Sequence, residues 1–200
     1  AEAASAIDGA RESCRAVECQ MGNLVAEAML DRVKDQGVAI AIANGGGLRA
    51  SIDAGPVTMG EVLTVLPFQN TLSTFEATGR QVVDALENGA SQIEEQAGRF
   101  AQVAGLRYTI DPSRPAGSRV SEVQVKGADG QWAPIDLAAT YGVVSNNYVR
   151  TGGDGYAMFV DAANAYDFGP DLAEVTAEYL AANQPYAPFT DGRITVVGAD

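Results

Sequence analysis

The run VAIAIA, residues 38 to 43, constrains the fold more than any other stretch of the chain. It is short, continuously apolar, and bounded by Gly37 and Asn44. That pattern reads as a strand buried on both faces, which needs cover on each side of its sheet. The segments around it supply candidate cover. NLVAEAMLDRVKDQG (23–37) places Leu24, Val25, Ala28, Met29 and Val33 at helical spacing, with Gly37 as a stop. Thr58 and Glu61 have capping-box spacing and predict a short helix through Val65, ending before Pro67. TLSTFEA (71–77) alternates as a strand, and Thr78 with Gln81 predicts a second capped helix running toward Glu95.

Farther along, RFAQVAGLRYTID (99–111) is strand-like and RVSEVQV (119–125) alternates strongly. KGADGQW then predicts a hairpin turn, and TYGVVSN (140–146) another strand. YVRTGGDGYAMF opens with a glycine-rich turn, DLAEVTAEYLAAN (171–183) is an amphipathic helix, and GRITVVG (192–198) a closing strand. The antiparallel signals in the middle argue against a purely parallel wind. The expected fold class is therefore α/β to α+β, a single domain with a mixed β-sheet flanked by helices. A chain of 200 residues, 46% hydrophobic and 20% charged, suits one such domain.

Several chemistries are excluded by what is missing. The chain has no histidine, so no serine or cysteine nucleophile here has an imidazole base, and no imidazole can hold zinc. Neither lysine, Lys34 or Lys126, lies in a Ser-x-x-Lys pattern. No apolar run approaches the ~20 residues of a membrane span. The opening AEAASAIDGARES has neither the basic start nor the apolar stretch of a signal peptide, so export implies a leader already removed. A net charge of −13 makes a nucleic-acid polymer an unfit partner, while one or two local arginines can still hold a small anion.

Cys14 and Cys19 stand in a C-x4-C spacing. A bridge is geometrically possible and implies an oxidising compartment; two buried free thiols are the other reading. The loop NGGGLRA (44–50) fits G-x-G-x-x-A, the weak form of a dinucleotide fingerprint. The SIDAGP that follows is turn chemistry where that fingerprint needs a helix start, and no Gly-Lys-Ser/Thr of a Walker loop occurs. Two readings remain: a turn that reverses the chain, or a loop at which a ligand approaches the backbone, with Asn44 and Arg49 as contacts and Gly46 at its centre.

Four motifs occur in order: CRAVECQMGNLVAEAM (14–29), NGGGLR (44–49), VLPFQNTL (65–72) and NYVRTGGDGY (147–156). Together they resemble the C-terminal domain of the 5'-nucleotidase family, which includes periplasmic UDP-sugar hydrolases and cell-surface ecto-5'-nucleotidases. The resemblance runs from about Cys14 to Ile194. It implies that residues 1–200 form one nucleotide- or nucleoside-binding domain. It also implies an N-terminal metallophosphatase domain of the same polypeptide, absent from this chain, that carries two divalent metal ions. No cofactor is expected in this chain, which is expected to be inert alone, and the location implied is periplasmic or extracellular.

Carried onto this sequence, Phe68 and Tyr148 match the two walls of a base-stacking clamp. Asp154 matches a carboxylate that accepts ribose hydroxyls, Asn44 a substrate contact, and Arg15 and Arg49 the arginines on the phosphate side. A Cys14–Cys19 bridge would then fix Arg15. The family often has Phe where Tyr148 stands and Ile where Leu48 stands. The rival readings are a free-standing nucleoside- or nucleotide-binding module and, with less support, a dinucleotide-binding oxidoreductase.

Overall fold

The computed structural model describes residues 1–199. In chain order the strands are β1 (Glu2–Ala3), β2 (Val38–Asn44), β3 (Gly55–Pro56), β4 (Leu72–Thr78), β5 (Ala101–Ala104), β6 (Leu106–Ile110), β7 (Val120–Lys126), β8 (Trp132–Pro134), β9 (Thr140–Asn146), β10 (Ala163–Tyr166) and β11 (Ile194–Val196). The helices are α1 (Arg11–Cys14), α2 (Gln20–Val33), α3 (Met59–Val65), α4 (Gly79–Ala90), α5 (Asn147–Arg150) and α6 (Leu172–Ala182). The fold is an α+β single domain with mixed sheets flanked by helices. A central sheet has the order β10-β4-β9-β2-β5, a second has β11-β6-β7-β8, and β1 pairs with β3. In the central sheet β2 and β9 are parallel and the other pairs antiparallel.

The run at 38–43 behaves as its pattern demands. Ile40 and Ile42 pack on one face with Phe75, Val82, Leu86 and Phe159. Ala41 and Ala43 pack on the other with Leu24, Val25, Met29 and Leu180. Helices α2 and α6 therefore cover one side of the central sheet, while α4 and the second sheet cover the other. The small alanines let α2 lie close on its face, and the larger isoleucines fill the deeper layer.

Both capping boxes form. The Thr58 hydroxyl accepts from Glu61 N–H, and the Glu61 carboxylate accepts from Thr58 N–H at 2.7 Å. Thr78 and Gln81 repeat the exchange at the start of α4. That helix stops at Ala90 and is followed by a 3-10 turn at Ile93–Glu95, so it is shorter than its pattern. Helix α2 begins at Gln20, three residues earlier than the apolar periodicity predicts, because Cys19 Sγ accepts from Gly22 N–H.

The expected single strand over 99–111 is two. Gly105 lies between β5 and β6 at φ +72°, and a Cβ there would stand 2.0 Å from the Ala39 carbonyl oxygen. The chain leaves the central sheet at this residue and enters the second, so only glycine fits. Strands β1, β3 and β10 have no counterpart in the sequence reading. They are two to four residues long and lie at edges. No described helix is long and apolar enough to cross a membrane.

Candidate functional site

Strand register brings three of the four motifs to one edge of the central sheet. Parallel strands β2 and β9 end side by side at Asn44 and Asn146. Antiparallel β4 starts opposite that end, with Leu72 facing Asn146, and β5 likewise, with Ala101 facing Asn44. The loops after β2 and β9 and the segments before β4 and β5 thus open at the same place. Crevices outside the carboxyl ends of parallel strands are where open sheets commonly bind ligands.

At that edge lies an open cavity of ≈ 570 Å³. Arg15, Asn44, Gly46, Arg49, Phe68, Tyr148 and Asp154, the residues singled out in the sequence, all line it. Gly47, Asn70 and Gly98 complete the lining and are not among the expected contacts. Phe68 and Tyr148 are 55% and 45% exposed, so two large rings face solvent beside the cavity. The Tyr148 ring rests on Gly153, where a Cβ would come within 2.5 Å of it. Its hydroxyl donates to Asp154 Oδ1 at 2.9 Å. That bond to a carboxylate, with some burial, raises the phenol above its ordinary range.

Asp154 sits at φ 53° in the glycine-rich turn. Asn88 Nδ2 donates to its carbonyl at 3.0 Å, and Asn44 Nδ2 to its Oδ2 at 2.8 Å. Asn44 itself is 4% exposed and accepts from Asn146 Nδ2 at 2.9 Å. Its amide therefore braces Asp154 before it can meet anything in the cavity.

The three glycines have a structural cause of their own. Gly45 N–H donates to Phe100 O at 2.7 Å, and Gly46 N–H to Gly98 O at 2.8 Å. A Cβ on Gly45 would lie 2.2 Å from the Cys14 carbonyl oxygen, and one on Gly46 2.8 Å from Gly98 Cα. The close approach that the triple glycine signals is made by the protein's own backbone. No helix starts in this loop: Gly45–Gly47 is one 3-10 turn, and the next helix begins at Met59. The geometry a dinucleotide fingerprint requires is absent here.

Cys14 and Cys19 are bridged, with Cα atoms 5.0 Å apart. The closed loop carries Arg15 to the cavity. It is tied down by Gln102, a fully buried residue of β5 that sequence reasoning missed. Gln102 Nε2 donates to Cys14 O at 3.0 Å and Val17 O at 2.8 Å, while its Oε1 accepts from Cys19 N–H at 3.2 Å. Arg15 reaches Gln96 O at 3.4 Å, and its buried Nε has no hydrogen-bond partner. Burial, then repulsion from Arg11 and Arg49, lowers the Arg15 pKa, with Asp154 opposing in part. Arg49 has its guanidinium 5.8 Å from the Phe68 ring centroid. Two guanidiniums, Arg15 and Arg49, thus line the cavity in a chain of net charge −13, and they repel each other. An anion placed there would relieve that repulsion.

A sequence profile of the family described as "5'-nucleotidase, C-terminal domain" matches residues 1–161. The chain is 43% identical over 194 residues to the trifunctional nucleotide phosphoesterase protein YfkN of Bacillus subtilis (strain 168), covering 96% of this chain and 13% of that protein. It is 32% identical over 201 residues to the 5'-nucleotidase of Homo sapiens, covering 94% of this chain and 35% of that protein. Among solved structures, a 5'-nucleotidase precursor from Thermus thermophilus superposes with a TM-score of 0.96 at 46% identity, over 100% of this chain and 39% of the other. NAD nucleotidase (NadN) from Haemophilus influenzae superposes with a TM-score of 0.85 at 28% identity, over 96% and 36%. The chain thus spans well under half the length of each of these four relatives. By the profile, the identities and the shared architecture, it belongs to the 5'-nucleotidase C-terminal domain family.

Proposed function

We propose that this chain is the nucleoside- and nucleotide-recognition domain of an exported phosphoric ester hydrolase that cleaves nucleotides. The base lies between Phe68 and Tyr148, the pentose hydroxyls meet Asp154, and the phosphate side faces Arg15 and Arg49. One observation carries the reading: two exposed rings, a braced carboxylate and converging guanidiniums line a single cavity of ≈ 570 Å³. That volume suits a small ligand of nucleoside size. The disulfide supports export, since such bridges persist in oxidising compartments.

In this reading the phosphate chemistry belongs to a metallophosphatase domain of the same polypeptide. Two divalent ions bound there would supply an activated water. This chain's residues do not fit such ions: among the described residues, no three His, Cys, Asp or Glu side chains stand together. Its own contribution is binding energy and orientation, and alone it is inert.

The test is calorimetric titration with adenosine and AMP. Each stacking ring should contribute roughly 1–3 kcal/mol, so Phe68→Ala weakens both ligands about 5- to 150-fold. Arg49→Ala should weaken AMP more than adenosine. Equal losses for the two ligands in Arg49→Ala would remove the phosphate assignment. No saturable binding up to millimolar ligand would remove the recognition role for the isolated chain.

A further inference from the structure

A directed chain of side-chain hydrogen bonds ends on Asp154. It begins at Val149 N–H, which donates to Asn146 Oδ1 at 2.8 Å at the start of α5. A backbone N–H can only donate, so the Asn146 amide has one orientation and its Nδ2 faces Asn44 Oδ1 at 2.9 Å. The Asn44 amide is then fixed in turn, and its Nδ2 donates to Asp154 Oδ2 at 2.8 Å. Tyr148 meets the other carboxylate oxygen. Each oxygen of Asp154 has thus accepted one bond and keeps a second acceptor site. Asn146 is 2% exposed, so water does not compete for its bonds.

We propose that Asn146 is a positioning residue: it sets the direction of this relay, and so aims the free acceptor sites of Asp154 at the vicinal hydroxyls of a bound pentose. The proposal rests on the nucleoside reading above and deepens it, because it makes preference for ribose hydroxyls depend on a residue outside the cavity lining. Asn146 does not line the ≈ 570 Å³ cavity itself; it borders a small adjoining hollow that shares Asn44, Gly47, Phe68 and Asn70 with it.

Two variants test it. Asn146→Asp keeps an oxygen for Val149 N–H but confronts Asn44 Oδ1 with a second acceptor. The Asn44 amide must flip, its oxygen then faces Asp154, and the carboxylate turns away. Asn146→Ser also keeps the cap but is too short to reach Asn44, so the direction of that amide is left unset. Should the buried charge of Asn146→Asp prevent folding, Asn146→Ser carries the test.

Adenosine and 2',3'-dideoxyadenosine are titrated into the wild-type chain and both variants, and crystal structures of the unliganded variants are determined. Adenosine affinity is expected to fall about tenfold or more, the size of a lost hydrogen bond to a charged group. Dideoxyadenosine, which offers Asp154 no hydroxyl, should change less than about twofold on the same reasoning. In the crystals the Asn44–Asp154 contact should open beyond hydrogen-bond range. An unchanged adenosine-to-dideoxyadenosine ratio, or an intact Asn44–Asp154 bond in both variants, overturns the proposal. A wild-type chain that binds neither nucleoside removes the recognition reading instead, and the crystals still decide whether Asn146 directs the relay.

Discussion

Replacing Gln102 with leucine should cost the domain about 3 kcal/mol, the balance of the hydrogen-bond and burial terms that follow. The side chain is fully buried and satisfies three backbone groups of the disulfide loop. Leucine has similar bulk and offers no partner. Two of those groups, Cys19 N–H and Cys14 O, are bonded in fully buried contacts. Each left unpaired costs about 1–3 kcal/mol, or about 4 together at mid-range. The Val17 carbonyl is partly exposed and can recruit water. Against this, the added apolar surface returns about 1 kcal/mol. For a domain of this size, 3 kcal/mol corresponds to a melting point about 6–12 °C lower. Scanning calorimetry on the oxidised chain reads this directly. Because the same loop carries Arg15, AMP affinity should fall as well. A Gln102→Leu protein that melts within about 2 °C of wild type, less than 1 kcal/mol on the same scale, would falsify the assignment of these three bonds as the loop's anchor.

Two further outcomes are expected. Gly105→Ala should destabilise by about 2 kcal/mol or more, from positive φ and the contact with the Ala39 carbonyl, and urea melts that match wild type would show that this corner relaxes freely. Asp167 is held below the usual carboxylate range, chiefly by its paired bonds from Arg150 at 2.8 and 2.6 Å. Its stabilisation is therefore complete above the unfolded value near 4 and is lost as pH falls through the lower folded value. Asp167→Asn should be less stable by about 2 kcal/mol at pH 7, the scale of charge-assisted bonds. The gap to wild type should narrow as pH falls below about 4. A gap that stays constant there would mean the pair contributes nothing.

The parts of the fold that repeat locally were legible in the sequence. The two Thr-led capping boxes, the doubly buried run at 38–43 and the alternation at 119–125 each carry their signal within a few residues. The break at Gly105 was not, because its cause is the Ala39 carbonyl on another strand. The ordered motifs pointed to seven residues that all line the cavity, while Gly98 of the same lining lies outside every motif. Gln102 and Asn146 were not legible, because a buried amide inside a strand announces nothing. The partners of Gln102 lie 83 to 88 positions away, and Asn44 lies 102 positions from Asn146. The triple glycine was half legible: it does mark a close approach, but Cys14 and Gly98 make that approach.

The side-by-side pairing of β2 with β9 also sets an order of events in biosynthesis. Asn44 and Asn146 are 102 positions apart, so at ~5–20 residues per second about 5–20 s separate their emergence from a ribosome. During that wait β5 can join one flank of β2, while the other flank stays open. An apolar strand with a free edge is what templates aggregation and what holdase chaperones grip. Tyr148 and Asp154 join the cavity lining only after β9 arrives, so truncation anywhere before Asn146 leaves the lining incomplete and that flank of β2 open.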